Sequence, residues 1–503
     1  MPPLSHLVQK AAFSGRLRNV TAVVSGAVSV LAFAPAGWWG FAFVSLYLLA
    51  RLWENDGPRQ MFIDGWWFGL GLFGAGVSWV YVSMAVYGAM PAVLAGLATF
   101  LFCAFLALFP AIAGWLSGRL SSPGAMRLLM VIPACWTLME WLRGWILSGF
   151  PWLTMGYAQA PAGWLAGYAP LVGVYGLSGL SFFVAGALVW LMQRAWIPGL
   201  WVAPFLLLVG VLGAGEGFKH VEWTRPAGQT LLVALLQGNI PQEMKWRPER
   251  AAQTLAEYAG RIEATQARLI VLPETALPVF YSQLPSAYLD GMRQLAQSRN
   301  ADILAGVPTG DIQGAYYNSV ASFGVSPTQF YHKQHLVAFG EFVPMGFQWI
   351  VNVLHIPLSD FARGGKDQAP LRVAGQQVAV NICYEDVFGQ EIIRALPEAS
   401  LLVNVTNDAW FGETFAAWQH AQMSQMRALE SGRYMLRATN TGVTAIIDQK
   451  GRVVSSLPGF EAATLEGTVQ GYAGVTPYAR WGNLPVLLWI AVALIVVGFK
   501  RRP

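Results

Sequence analysis

Apolar positions along this chain fall into two regimes. Long runs occupy residues 20–34, 38–52, 61–84, 90–116, 128–147, 170–192 and 197–213, and one more lies at 484–499. A bilayer core takes about 20 apolar residues per helix, so these runs predict about eight transmembrane helices. Between them the pattern changes. Short apolar runs at 231–236, 269–272, 303–307, 319–323, 378–382, 401–405 and 444–447 are bounded by Gly, Pro or Asn, as strands are. Helical patterns at 251–267, 286–299 and 415–433 separate some of them, and Leu255, Tyr258 and Ile262 in the first recur at the spacing of one buried helical face. The expected architecture is a multi-span α-helical membrane domain over residues 1–215, an α/β sandwich over 216–481, and a last helix with a basic tail over 482–503.

Composition supports a membrane setting. Hydrophobic residues make up 55% of the chain and charged ones 12%, against a usual charged share of about 25%. The 22 Trp and 28 Phe supply aromatics of the kind that collect at head-group depth. Residues 1–34 fit either a cleaved leader or a retained first span; the second apolar run that follows at once favours the span. With the N-terminus in the cytoplasm, Lys10, Arg16, Arg18, Arg51, Arg59, Arg119, Arg127, Arg194 and the tail Lys500, Arg501 and Arg502 share that side, as the positive-inside rule requires. Both termini are then inside and the sandwich outside.

The net charge of +5 comes without a basic arm interleaved with aromatics, so a nucleic-acid partner is not expected. Cys103 and Cys135 lie inside apolar runs, and the histidines form no ligand pattern. Neither a metal nor another cofactor is expected.

Candidate chemistry begins at Asn381-Ile382-Cys383-Tyr384-Glu385-Asp386, where an apolar run ends and a helical pattern over 385–395 opens. A cysteine at such a junction lies near free backbone N–H groups that favour the nucleophilic thiolate. A buried apolar thiol fits the same residues. Two more polar residues follow strand-like runs: Glu274 after Pro273, and Lys333 after residues 329–332. A base, a positive group for an oxyanion and a sulfur are the parts acyl transfer needs. Taken singly, Glu274 also suits a helix cap and Lys333 a solvated surface. Glu140 and Arg143, three apart on one helical face, are a functional candidate, an ion pair that locks packing, or two side chains that snorkel to the interface.

The ordered set resembles the nitrilase, or carbon–nitrogen hydrolase, superfamily, whose Glu-Lys-Cys triad stands at strand ends of an αββα sandwich. The motifs that carry the likeness are Leu272-Pro273-Glu274, Tyr331-His332-Lys333 and Ile382-Cys383-Tyr384-Glu385. With the apolar spans, Gln237-Gly238-Asn239-Ile240-Pro241-Gln242, residues 336–344 and residues 404–412, the chain is similar to the membrane-embedded branch, the apolipoprotein N-acyltransferases. Ala338 stands where that family's pattern has Pro.

This resemblance implies Glu274 as general base, Lys333 as stabiliser of the tetrahedral intermediate and Cys383 as carrier of an acyl thioester. It implies supporting or substrate-binding roles for Glu341, Tyr384, Glu385, Trp246, Asn239, Asn318, Trp410, Glu140 and Arg143. The implied partners are a phospholipid acyl donor such as phosphatidylethanolamine, diacylglyceryl apolipoproteins and the bilayer. The implied location is a bacterial inner membrane with the sandwich in the periplasm. A membrane-tethered hydrolase of a small amide is the alternative, and it predicts a narrow pocket open to water.

Overall fold

In the computed structural model, residues 15–499 are described apart from 196, 246, 312–313 and 344–360. Two six-stranded mixed sheets form the middle of the molecule. The first has the order β12-β1-β2-β3-β4-β5, from β1 (Arg225–Gln237), β2 (Leu269–Val271), β3 (Asp302–Gly310), β4 (Tyr316–Gly324), β5 (Gln329–His332) and β12 (Ala463–Ala473). The second has the order β11-β10-β9-β8-β7-β6, from β6 (Leu371–Val373), β7 (Gln376–Ile382), β8 (Leu401–Thr406), β9 (Met435–Thr439), β10 (Ala445–Ile447) and β11 (Val453–Ser456).

Each sheet has three parallel strands, β1-β2-β3 and β7-β8-β9, flanked by antiparallel ones. Because β4 runs against β3 and β5 against β4, β5 runs the same way as β2, and both carboxyl ends reach one edge. Alternation along the strands sets the layers. Val233, Leu235, Val271 and Leu304 meet Val378, Val380, Val403 and Val405 between the sheets. Leu236, Ile270 and Ile303 face the helices Pro248–Ala264 and Ser286–Ser298 on the outer side. The expected Leu255, Tyr258 and Ile262 stripe is buried there.

On its other side the second sheet carries the helix Ala416–Ser431, which is buried almost throughout. Met423, Met426 and Leu429 of this helix join one apolar core with Phe68, Trp136, Trp152 and Phe182 of the N-terminal helices. The sandwich therefore sits directly on the helical base. Trp152 Nε1 donates to Gln419 Oε1 at 2.6 Å, Tyr157 Oη to Val387 O at 3.0 Å, and Val174 N to Glu430 Oε1 at 2.7 Å. Around the base, Leu97, Phe100, Leu101, Leu206, Val209, Leu488 and Val492 stay exposed, a surface too apolar for water alone.

Several helices in the apolar runs fall short of a bilayer crossing: Gly40–Trp53 has 14 residues, Leu484–Phe499 has 16 and Val202–Phe218 has 17. Among the described residues, Ala92–Leu120 and Ala166–Arg194 are long and apolar enough to cross a bilayer, and a third span arises if Pro58–Gly76 and Val80–Tyr87, bent by 59°, count as one. The expectation of about eight is thus met only in part. Run 128–147 shows why: it contains a π turn (Arg127–Val131), the helix Ile132–Arg143 and a turn, and its apolar residues cover the neighbouring loop as well as helices. The helical pattern at 385–395 also breaks, into Cys383–Val387, Gly389–Ile392 and Ile393–Ala395, because Glu385 spends its carboxylate on the strand end behind it.

Glu140 and Arg143 hold the loop 149–155 against the base. Both are buried, 3.9 Å apart. Arg143 Nη1 donates to Phe150 O and Trp152 O, each at 2.6 Å, and Met155 N donates to Glu140 Oε1 at 2.9 Å. Removing one member of a buried pair leaves the other charge and its carbonyl partners unmatched, at a cost of about 3–5 kcal/mol. Thermal unfolding in detergent micelles should show Arg143→Met destabilised by that order, and the double variant with Glu140→Gln less destabilised than Arg143→Met alone.

Candidate active site

Three carboxyl ends bring the expected triad together. Glu274 follows β2, Lys333 follows β5 and Cys383 follows β7. Lys333 Nζ lies 3.5 Å from Glu274 Oε1 and 2.9 Å from Glu341 Oε1, and the lysine is 1% exposed. Asn318, on β4, donates its single Nδ2 to Glu274 Oε1 at 2.7 Å and to Glu341 Oε1 at 3.1 Å. Its main-chain oxygen accepts from Lys333 N at 2.8 Å, which fixes where the lysine leaves the strand. The second oxygen of Glu341 accepts from Val337 N at 2.8 Å, so this carboxylate closes its own loop and orients the ammonium at once.

Burial works against a charge on Lys333, but Glu341 and Glu274 outweigh it and hold the ammonium well above the usual lysine range. Cys383 behaves in the opposite way. The residue is only partly buried, yet desolvation pushes its thiol above the usual range, the Glu274 carboxylate adds to this, and Lys333 offsets part. These surroundings favour the thiol, where free N–H groups at the junction alone would favour the thiolate. The Cys383 backbone adopts φ +53°, a left-handed conformation that costs about 1–3 kcal/mol in a residue with a side chain. Thr275 (φ +47°), Asn239 (φ +52°) and Phe339 (φ +63°) share this conformation around the same edge.

Glu385 braces the nucleophile. Its Oε2 accepts from Ile382 N at 2.6 Å and Tyr331 Oη at 3.0 Å, while Oε1 accepts from Gln334 N at 2.7 Å and His335 N at 3.1 Å. One carboxylate thus ties the end of β7 to the segment after β5, and burial pushes its pKa up to about 7 against those donors. Tyr384 reaches the helical base instead, where its Oη donates to Gly149 O at 3.0 Å and its ring packs on Phe388.

The remaining candidates lie outside the triad. Asn239 pins a turn through Asn440 O and Phe460 O. Trp410 is 45% exposed, stands edge-on to Tyr87 and accepts from Ser83 Oγ through its carbonyl. Glu140 and Arg143 make no bond to the triad. Trp246 lies outside the described residues.

A buried ionic cluster behind Cys383 is absent from the sequence reading. Arg437 pairs with Asp386 and Asp408 at 3.1 and 2.9 Å, and His420 sits between the same two carboxylates at 2.9 Å from each. Burial opposes the charge on His420, and Asp386 and Asp408 push its pKa up to about 9. Arg437 Nη1 also donates to Asn404 Oδ1 at 2.7 Å, which turns Asn404 Nδ2 onto Cys383 O at 3.1 Å. Asp408 and Asn404 belong to the motif at 404–412, but their partners are distant in sequence. No group of His, Cys, Asp and Glu suited to a metal occurs among the described residues.

Residues 25–187 match the Apolipoprotein N-acyltransferase N-terminal domain family, and residues 232–478 match the Carbon-nitrogen hydrolase family. The chain is 50% identical over 486 residues to the apolipoprotein N-acyltransferase of Nitrosomonas europaea, covering 96% of this chain and 97% of that one. It is 46% identical over 488 residues to that of Methylococcus capsulatus, covering 96% and 95%. Among solved structures, the C. elegans NitFhit protein aligns with a TM-score of 0.39 at 16% identity, over 55% of this chain and 66% of that one. With half its residues identical to one such enzyme along nearly the whole length, the chain belongs to the apolipoprotein N-acyltransferase family.

Proposed function

We propose that Cys383 carries an acyl group from a membrane phospholipid to the α-amine of the diacylglyceryl-cysteine that begins an apolipoprotein. The observation that carries this reading is the Glu274–Lys333–Glu341 set at the strand ends that also carry Cys383, where Tyr384 reaches the helical base.

In the first half-reaction Glu274 takes the Cys383 proton as sulfur attacks the ester carbonyl at the sn-1 position. The Lys333 ammonium faces the oxyanion. On collapse Glu274 gives the proton to the departing glycerol oxygen, the lysophospholipid leaves, and the thioester remains. In the second, the α-amine attacks that thioester, Glu274 takes a proton from the amine, and the expelled sulfur recovers it. Glu341 keeps Lys333 in place and Glu385 keeps the Cys383 turn against it. The donor we propose is phosphatidylethanolamine.

Both substrates are lipids, and drawing a sixteen-carbon chain into water costs about 13 kcal/mol at about 0.8 kcal/mol per methylene. A sandwich seated on apolar helices removes that cost. We place the helices of residues 1–215 and 482–503 in a bacterial inner membrane as about eight spans, with both termini cytoplasmic and residues 216–481 in the periplasm. Support comes from the end of the base away from the sandwich. Ala34 N donates to Gln422 Oε1, beside the sandwich, whereas the helix Gly40–Trp53 ends about 20 Å further on. There Arg18, Arg127 and Gln193 converge on residues 52–56.

Transfer of labelled fatty acid from phosphatidylethanolamine to a lipopeptide amine tests the roles. Cys383→Ala should abolish it, Cys383→Ser should keep the fold and lose nearly all turnover, and Glu274→Gln and Lys333→Ala should each block thioester formation. Transfer by Cys383→Ala at the normal rate would refute the mechanism. Glu385→Gln should lower transfer about a hundredfold and stability by about 2–3 kcal/mol, since an amide cannot accept four hydrogen bonds. Tyr331→Phe, which removes one of the four, should cost about 1 kcal/mol and less than tenfold in rate, read from initial rates and thermal unfolding.

A further inference from the structure

Glu274, Glu341 and Lys333 together carry one uncompensated negative charge in a buried place, and such an excess opposes the oxyanion that acyl transfer must form. The structure holds a second lysine there. Lys245 is 5% exposed, and its Nζ donates to the main-chain oxygen of Glu274 at 2.9 Å. The segment that bears it is pinned to the carboxyl ends of β8 and β9. Asn407 Nδ2 donates to Gln242 Oε1 at 2.7 Å, Asn440 Nδ2 to Ile240 O at 2.7 Å, and Ile240 N to Asn440 Oδ1 at 3.0 Å. A solvated surface lysine has no such anchoring.

Resting on the thioester reading above, we infer that Lys245 is a positioning residue of the reaction centre. Its ammonium holds the Glu274 main chain beside the strained Thr275 and supplies the charge that brings the two carboxylates and Lys333 to neutrality. Neutrality then persists as the proton passes from Cys383 to Glu274, because that step moves charge within the set.

The titratable groups that face Lys245 are Glu274, from the segment after β2, and Cys383, from the turn after β7; Lys333 and Glu341 engage Glu274 through its carboxylate. Burial lowers the pKa of Lys245 to about 8, and Glu274 and Cys383 offset part of that. The cationic form is present below that value and lost above it. Lys333 and Cys383 are both displaced upward, well away from this range. His420, at about 9, is the other basic group that titrates nearby, and it belongs to the cluster behind Cys383.

The test is the initial rate of Cys383 thioester formation by the full-length protein in detergent micelles with phosphatidylethanolamine, from pH 7 to 10, read by intact mass. The rate should fall with a midpoint near pH 8 in the unaltered protein. Lys245→Met should acylate about a hundredfold more slowly at pH 7 and lack that descending limb. Lys245→Arg, whose charge does not titrate here, should keep at least about a third of the neutral rate and move the midpoint up by about one unit, to the His420 range. A Lys245→Met rate within threefold of the unaltered protein, or a Lys245→Arg midpoint that stays near pH 8, would overturn the inference. Cys383→Ala is run alongside, and an acyl adduct there would overturn the thioester reading itself, independently of Lys245.

Discussion

A lysine ammonium removed from water is stable only where opposite charge replaces its hydration, and Lys333 has that replacement from two sides. The rest of the site follows from this arrangement. Glu341 must be held at 2.9 Å from the ammonium, and the loop closed on Val337 holds it. Glu274 stands farther off, at 3.5 Å, and its oxygen is shared with the Asn318 amide, the looser hold that the proposed proton transfer needs. In the proposed mechanism the thiol, which its surroundings favour over the thiolate, becomes a nucleophile when its proton moves to that carboxylate.

The strand ends that carry the triad were legible because short apolar runs bounded by Gly, Pro or Asn mark strands, and Glu274, Lys333 and Cys383 each follow one. Asn318 and Glu341 were legible only through family likeness, and the structure places both against the lysine. The environment of Cys383 was not legible, since local N–H groups argue for a thiolate whereas desolvation and Glu274 in the folded protein favour the thiol. The cluster of Arg437, Asp386, Asp408 and His420 was hidden for another reason. Its members come from β9, the turn after β7, the turn after β8 and a helix, and no local spacing links them.

The loop 149–155 joins the two halves of the molecule. Arg143 and Glu140 fix it from below, Trp152 reaches Gln419 of the sandwich, and Gly149 O accepts from Tyr384, the residue after the nucleophile. His335, two residues after Lys333, donates to Ser148 O at 2.8 Å and stacks on Phe388. The turn that carries Cys383 and the segment that carries Lys333 are therefore both moored to the helical base.

In the proposed mechanism the Cys383 thiol, assisted by Glu274 and Lys333, becomes a lipid thioester. The most direct measurement is incubation of the full-length protein with chain-labelled phosphatidylethanolamine and no amine acceptor, followed by mass spectrometry of the proteolytic fragment containing Cys383. The account predicts one labelled acyl group on that fragment, released by hydroxylamine at neutral pH. Label on another residue, or lysophospholipid produced with no acyl group on Cys383, would contradict it.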